Sequence, residues 1–219
     1  MNRITSESLA GARASLIAEL AHDIVDQRVL DAVARVPREE FVEAEAAPIA
    51  YENRPLPIGY GQTISQPLIV ALMTQALMLT GNEKVLEVGT GSGYQAALIS
   101  ILAAHVISVE RVPELAASAA ERLNRLRYSN VEVHAATDEI GWPEGSPYDA
   151  IIVTAASPDI PRPLLDQLAM NGRLVLPVGS RNLQELVRIV KTPEGARRHN
   201  LGSCRFVPLL GRGAWPETR

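Results

Sequence analysis

The sequence predicts an α/β fold: a doubly wound, mostly parallel sheet with helices on both faces, an N-terminal helical extension and a late antiparallel edge hairpin. Three observations predict it. From Lys84 to Val178, short β-rich runs alternate with helical patterns, the mark of a parallel sheet covered on both sides. Before that point the chain carries helical periodicity interrupted by prolines. After it the period changes again, to two strand-like runs around a polar turn.

Taken in order, Leu16, Leu20, Ile24, Val29, Leu30 and Val33 recur at helical intervals. Pro37 breaks that pattern, because the residue before a proline is pushed out of the helical region. Pro48, Pro55 and Pro57 keep helix away until the chain has passed Gln62. "QPLIVALMTQALML" is the next helix, with Leu68, Leu72 and Leu79 on its apolar side and Gly81 as its expected C-cap. "KVLEVG", "HVISVE", "VEVH", "YDAIIVTA" and "GRLVLPV" then read as strands. "SGYQAALISILAA" and "PELAASAAERLNRLR" are helices between them, and Pro113 suits the first turn of the second. "LQELVRIVK" and "LGSCRFVPLL" are the expected hairpin strands, with "TPEGARRHN" as their turn. We expect a single domain over residues 1–219: a helical portion 1–80, an α/β core 81–210 and a loose tail 211–219.

The totals exclude several function classes. With 219 residues, 47% hydrophobic and 21% charged, the chain suits a soluble globular domain and not a disordered one. A net charge of −4 argues against a nucleic-acid surface, and "RLNRLR" reads as the solvated face of a helix. The lone Cys204 rules out an internal disulfide and a thiolate cluster, and is expected to be a small, half-buried hydrophobe. His22, His105, His134 and His199 lack ligand spacing, so no metal is expected. No apolar leader or membrane-length run stands in the sequence, which places the protein in the cytoplasm and off the membrane.

The strongest chemical signal is "VLEVGTGSGYQAA". A strand ends at Glu87-Val88, and Gly89, Gly91 and Gly93 follow before a helix starts. Side chains there would obstruct the turn and keep a ligand from the backbone. The spacing is G-x-G-x-G, not the G-x-G-x-x-G of dinucleotide sites, so an NAD-dependent oxidoreductase is disfavoured. Glu110 ends the second strand 21 residues after Gly89, where an acid can accept both ribose hydroxyls. Glu87 would repel a diphosphate but could orient the cationic amino group or sulfonium of S-adenosylmethionine, directly or through water.

"GYGQTISQP" poses a choice between helix cap and reaction site. Ser65 before Gln66-Pro67 suits an N-cap with proline in the first turn. No acid or histidine stands in "PIGYGQTISQPLIV", and G-x-S-x-G is absent, so Ser65 is not read as a hydrolase nucleophile. A hydrogen-bonding role towards a carboxylate remains, helped by backbone N–H groups at a helix start.

These segments together carry a resemblance. "VPREEFV", "LPIGYGQTISQP", "VLEVGTGSGYQAA", "VISVERVPELA", "YDAIIVTAA", "NGRLVLPVG" and "RFVPLL" resemble the bacterial protein-L-isoaspartate O-methyltransferases, almost end to end. The resemblance implies a seven-stranded methyltransferase sheet that uses S-adenosylmethionine and releases S-adenosylhomocysteine. It implies methylation of the α-carboxyl of L-isoaspartyl, and some D-aspartyl, residues in damaged proteins; the ester then collapses to a succinimide, and hydrolysis returns some normal bonds. It places the active-site serine on Ser65, with Thr63, Ile64 and Gln66 shaping the pocket. It places cofactor binding on Glu87, Gly89, Thr90, Gly91, Glu110 and Arg111, and substrate grip on Val207, Pro208 and Leu209. Val153 to Ala156 would line the reacting face, and residues 1–80 become the substrate side.

One departure stands out. The family commonly carries "GDG" after the third strand, its Asp on the adenine amino group; here the positions are Ala136, Thr137 and Asp138. The acid is displaced by one, so Thr137 and Asp138 are both candidates for that contact. Losing one such buried bond outright would cost about 1–3 kcal/mol. Two rivals follow: a divergent aspartate methyltransferase dedicated to one peptide or protein, and an inactive cofactor-binding interaction module. The first would be expected to carry extra substrate-binding sequence, and the chain runs only about ten residues past "FVPLL". An enzyme admitting assorted chains is expected to be a monomer.

Overall fold

The structure, a computed structural model, describes residues 6–211 and 213–216. The N-terminal portion holds α1 (Ser6–Leu20), α2 (Gln27–Arg35), a small hairpin of β1 (Leu56–Pro57) and β2 (Thr63–Ile64), and α3 (Pro67–Ala76). Asp26 caps α2 by accepting the Arg28 N–H at 3.0 Å, and the helix stops before Pro37 as expected. The chain then makes a 3₁₀ turn over Arg38–Phe41.

Helix α3 is shorter than the apolar pattern suggests, and Gly81 does not cap it. Side chains from elsewhere take the carbonyls that a longer helix would use internally. Arg173 donates to the Leu77 and Met78 carbonyls at 2.7 and 3.2 Å, and Arg28 to that of Leu79 at 2.9 Å. The chain turns at Met78, which has φ +51°, and enters a tight loop. There the N–H groups of Thr80, Gly81 and Asn82 converge on the Glu83 carboxylate at 2.9–3.1 Å.

The remaining strands are β3 (Lys84–Val88), β4 (His105–Glu110), β5 (Val131–Ala135), β6 (Tyr148–Val153), β7 (Leu168–Gly179), β8 (Gln184–Thr192) and β9 (Gly195–Cys204). They form one seven-stranded sheet in the order β5-β4-β3-β6-β7-β8-β9. The first five pair in parallel and the last two add antiparallel at one edge. Helices α4 (Tyr94–Leu102), α5 (Pro113–Arg125) and α6 (Arg162–Gln167) complete the fold.

Strand side chains alternate between two apolar clusters. Val85, Val106 and Ile152 join the cluster that includes α1 to α4, so the helical portion packs into the same core as the sheet. Leu86, Ile107 and Ile151 join a second cluster under α6 and the loops. Central strands buried on both faces explain the near-continuous apolar runs in the sequence.

Three expectations are corrected at the C-terminal end. The hairpin turn is only Pro193-Glu194, flanked by the pair Thr192–Gly195, and Arg197 to Asn200 belong to β9. An edge strand with exposed polar side chains lacks the buried face that makes a strand readable. The strand then ends at Cys204, and Arg205–Leu210 leave the sheet. The tail is not loose in its described part: Gly211 N–H donates to the Trp215 carbonyl at 3.1 Å, and Trp215 N–H to Leu209 at 3.0 Å. Arg181 stacks over the Trp215 ring at 4.9 Å.

Candidate active site

A cavity of about 860 Å³ opens at the carboxyl ends of β3, β4 and β6. This is where strand order reverses around β3, the crevice in which open α/β sheets bind ligands. Its wall brings together Ile64, Ser65, Gly89, Glu110, Thr154 and Val207 from five separate stretches of chain.

The glycine turn forms its floor. Gly89 has φ +100° and its N–H donates to the Val109 carbonyl at 2.9 Å. A Cβ at Gly89 would fall 2.3 Å from Thr154 Oγ1, which itself donates to the Gly89 carbonyl at 2.6 Å. Only glycine allows β3 and β6 to close over that hydroxyl. Thr90, Gly91 and Arg111 also face the cavity. Glu110 is 7% exposed and fixed by three N–H donors: Gly91 to Oε2 at 2.8 Å, Arg111 and Val112 to Oε1 at 2.8 and 2.9 Å. The carboxylate is thereby held in one orientation on the cavity wall.

Glu87 is placed differently from expectation. It is 0% exposed and lies outside the cavity wall, so it makes no direct approach to a ligand. Ser108 Oγ donates to Glu87 Oε2 and meets Thr90 Oγ1 at 2.6 Å, so the link to the cavity runs through two hydroxyls. Burial pushes the Glu87 carboxyl up to about 8, against the lowering effect of the Ser108 bond. Its Oε1 has no partner. Sequence reasoning missed Ser108, whose only local signal is a hydroxyl in an otherwise apolar strand.

Ser65 sits half-buried on the cavity wall, beside the buried Ile64 and the exposed Thr63. The cap of α3 is one residue later than expected: Gln66 is the N-cap, at φ −52° and ψ 132°, and no side chain caps the helix. Gln66 is off the cavity wall. The Ser65 hydroxyl is therefore not spent on the helix, and it makes no hydrogen bond among the described residues. Its carbonyl accepts from Arg38 Nη2 at 2.8 Å.

The hairpin β1–β2 carries this loop, turning through Gly59, Tyr60 and Gly61 at φ +85°, +53° and +69°. Thr137 and Asp138 are both exposed on the wall beside Arg111, and Thr137 Oγ1 accepts the Glu139 N–H at 3.3 Å. Of Val153 to Ala156, Thr154 and Ala155 reach the cavity. Val207, Pro208 and Leu209 line it too, tied to Ala156 by two backbone bonds of 2.7 Å. Gly211, Gly213, Ala214 and Pro216 extend that wall, a contribution from the tail that the sequence did not announce.

The donor set fits a nucleoside carrying a cationic amino-acid arm. A fixed carboxylate ends the second strand, glycine backbone lies open beneath, and two hydroxyls lead from the floor to the buried Glu87 carboxyl, whose other oxygen lacks a partner. The acids Glu87 and Glu110 flank the turn, which disfavours a diphosphate there.

Comparison with known proteins agrees. A family model described as protein-L-isoaspartate(D-aspartate) O-methyltransferase (PCMT) matches residues 12–214. The chain is 54% identical over 196 residues to protein-L-isoaspartate O-methyltransferase 1 of Syntrophobacter fumaroxidans, covering 90% of this chain and 92% of that one. It is 54% identical over 194 residues to a Dictyoglomus thermophilum protein-L-isoaspartate O-methyltransferase, covering 89% and 88%. A solved protein-L-isoaspartate O-methyltransferase superposes with TM-score 0.83 at 28% identity, over 92% of this chain and 67% of that one. A Plasmodium falciparum structure described as a beta-aspartate methyltransferase (PCMT) in complex with S-adenosyl-L-homocysteine gives TM-score 0.75 at 28% identity, over 88% and 95%.

Proposed function

Because this chain belongs to the protein-L-isoaspartate(D-aspartate) O-methyltransferase family, we propose that the cavity above the glycine turn is its methyl-transfer site. The protein is an S-adenosylmethionine-dependent carboxyl methyltransferase that acts on isoaspartyl residues of damaged proteins, in a repair reaction. The roles of individual residues are our reading. The observation that carries it is the presence of the free Ser65 hydroxyl and the fixed Glu110 carboxylate on the wall of one cavity.

Glu110 would hold the ribose, with Gly89, Thr90, Gly91 and Arg111 against the nucleoside and Asp138 or Thr137 at the adenine edge. Glu87 would act on the amino-acid arm from below, through Ser108 and Thr90. Bound there, S-adenosylmethionine supplies an electrophilic methyl group on a positively charged sulfur. The substrate α-carboxylate, with an ordinary pKa of about 3.3–3.7, is already ionised and needs no general base. That accounts for a wall with hydroxyls and no triad. Ser65 donates to one carboxylate oxygen and so aims the other along the line of attack, a contribution of proximity and orientation. Ile64, Val70, Met73, Val207 and Leu209 keep water away, which strengthens the attraction of anion for cation. Thr63 and the Val207–Leu209 strip would bear on the peptide flanking the isoaspartyl residue.

We place the enzyme in the cytoplasm as a monomer, since assorted damaged chains must reach the open site. No helix among the described residues is long and apolar enough to cross a membrane. The test is incubation with methyl-labelled S-adenosylmethionine and an isoaspartyl peptide, beside its normal aspartyl counterpart, followed by release of labelled methanol. Label is expected from the isoaspartyl peptide alone. Equal labelling of both peptides would sink the reading.

A further inference from the structure

Arg38 is the buried cation among the described residues, with 0% exposure, and it lies directly behind the Ser65 wall. Its recorded partners are not carboxylates. Nε donates to the Ala50 carbonyl at 2.8 Å and Nη2 to the Ser65 carbonyl at 2.8 Å. The guanidinium stacks over the Tyr94 ring at 4.8 Å, and Tyr94 is itself part of the cavity wall. Nη1 has no partner at all. Burial lowers the Arg38 pKa from its usual value, yet a guanidinium starts so high that it stays charged. A charge in that position is costly for folding alone, since apolar replacements of buried ions are often neutral or stabilising.

Two consequences follow from the geometry. A peptide unit is planar and trans, so its C=O and N–H point in opposite directions. Holding the Ser65 carbonyl towards Arg38 turns the Gln66 N–H to the other side of the chain, away from Arg38. The same bond polarises that peptide unit and strengthens its N–H as a donor. The second consequence is electrostatic: a cation without a neutralising carboxylate, in surroundings of low dielectric, favours an anion on the near side of the wall.

We propose that Arg38 is a positioning residue for the substrate carboxylate, fixing the Ser65–Gln66 peptide unit and supplying the buried positive charge behind it. The inference rests on the functional reading above and deepens it. It assigns selectivity for an anionic substrate group to the protein, in addition to any cation the cofactor brings. Arg38 touches neither reactant. It acts through the backbone of Ser65 and the ring of Tyr94.

The experiment compares wild type, Arg38→Met and Arg38→Lys, measuring KM and kcat on the isoaspartyl peptide and S-adenosylhomocysteine affinity by calorimetry. Arg38→Met is expected to raise peptide KM about tenfold or more, the scale of a lost charge-assisted interaction. Affinity for S-adenosylhomocysteine should stay within about twofold, and Arg38→Lys should recover part of the KM loss because it keeps the charge. An unchanged KM in folded Arg38→Met, an equal loss of cofactor-product affinity, or a Lys variant no better than the Met variant each overturns the proposal. Should Arg38→Met not fold, Arg38→Gln takes its place beside Arg38→Lys: raised KM with intact affinity in Arg38→Gln supports the proposal, and wild-type KM there overturns it. A wild type that ignores the isoaspartyl peptide overturns the functional reading and this inference with it. A working wild type beside Arg38→Met of normal KM overturns this inference only.

Discussion

Glu110 accepts the Gly91 N–H at 2.8 Å, joining the end of the second core strand to the middle of the glycine turn. One carboxylate thus shapes the turn and faces the cavity. Glu110→Ala removes both effects, and S-adenosylhomocysteine affinity should fall about 10- to 100-fold by calorimetry, or about 1.4–2.8 kcal/mol. Glu110→Gln keeps one acceptor and should fall between. Undiminished affinity in Glu110→Ala would mean that the ribose is held elsewhere.

Asp138, which our reading sets at the adenine together with Thr137, carries a carboxylate without a partner among the described residues, while Thr137 Oγ1 already accepts the Glu139 N–H. Asp138→Ala should therefore weaken S-adenosylhomocysteine about tenfold, the loss of roughly one buried hydrogen bond. Thr137→Val should cost less than that. The reverse order of effects would transfer the adenine contact to Thr137.

Glu87 makes a prediction about stability against pH. Its carboxyl is raised to about 8 by burial, so between the unfolded value of about 4.5 and 8 the folded chain binds the extra proton. Stability attributable to this group must fall as pH rises through that window. Glu87→Gln keeps the shape without the charge, and should flatten the melting curve between pH 5 and 8. The change in Tm difference should reach at least about 2–4 °C, the effect of about 1 kcal/mol in a chain of this size. An unaltered pH slope would show that Glu87 ionises freely.

What the sequence made legible follows the range of each interaction. The glycine turn and Glu110 were readable because their geometry is set within one strand–turn–helix–strand unit. Arg38 was not, since its carbonyl partners stand 12 and 27 positions away and nothing local in "VPREEFV" marks it as a buried cation. The α3 terminus was misplaced for the same reason: Arg173, 96 positions from Leu77, takes its carbonyl. β9 hid because an exposed edge strand has no apolar alternation. Ser65 was half legible. Its neighbourhood announced a helix start, but the N-cap position fell on Gln66, which leaves the serine hydroxyl free.

Glu83 should be a stability hot spot remote from the chemistry. Burial alone would raise its carboxyl, but bonds from Thr80 N–H and hydroxyl and from the following N–H groups outweigh that and bring it down to about 2. Glu83→Ala leaves those donors and Arg173 without their acceptor, and should cost about 2–3 kcal/mol. A depressed carboxyl contributes stability above about pH 4.5 that is lost as pH falls towards 2. Glu83→Gln should accordingly lose part of the acid-side slope in urea titrations between pH 5 and 2.

Ser65 carries the most direct prediction about the reaction. Its hydroxyl is free of the helix cap and faces the cavity, while its backbone is anchored to Arg38. Removing the hydroxyl should leave the loop in place, since the anchor runs through the carbonyl. Ser65→Ala should therefore fold normally and bind S-adenosylhomocysteine with nearly wild-type affinity. Its turnover on an isoaspartyl peptide should fall about 10- to 100-fold, the loss of one orienting hydrogen bond to a charged group. Ser65→Thr keeps a hydroxyl but adds a methyl group to a half-buried wall, and should recover activity only in part. Equal losses of turnover and S-adenosylhomocysteine affinity in Ser65→Ala would move the serine from the carboxylate to the cofactor side.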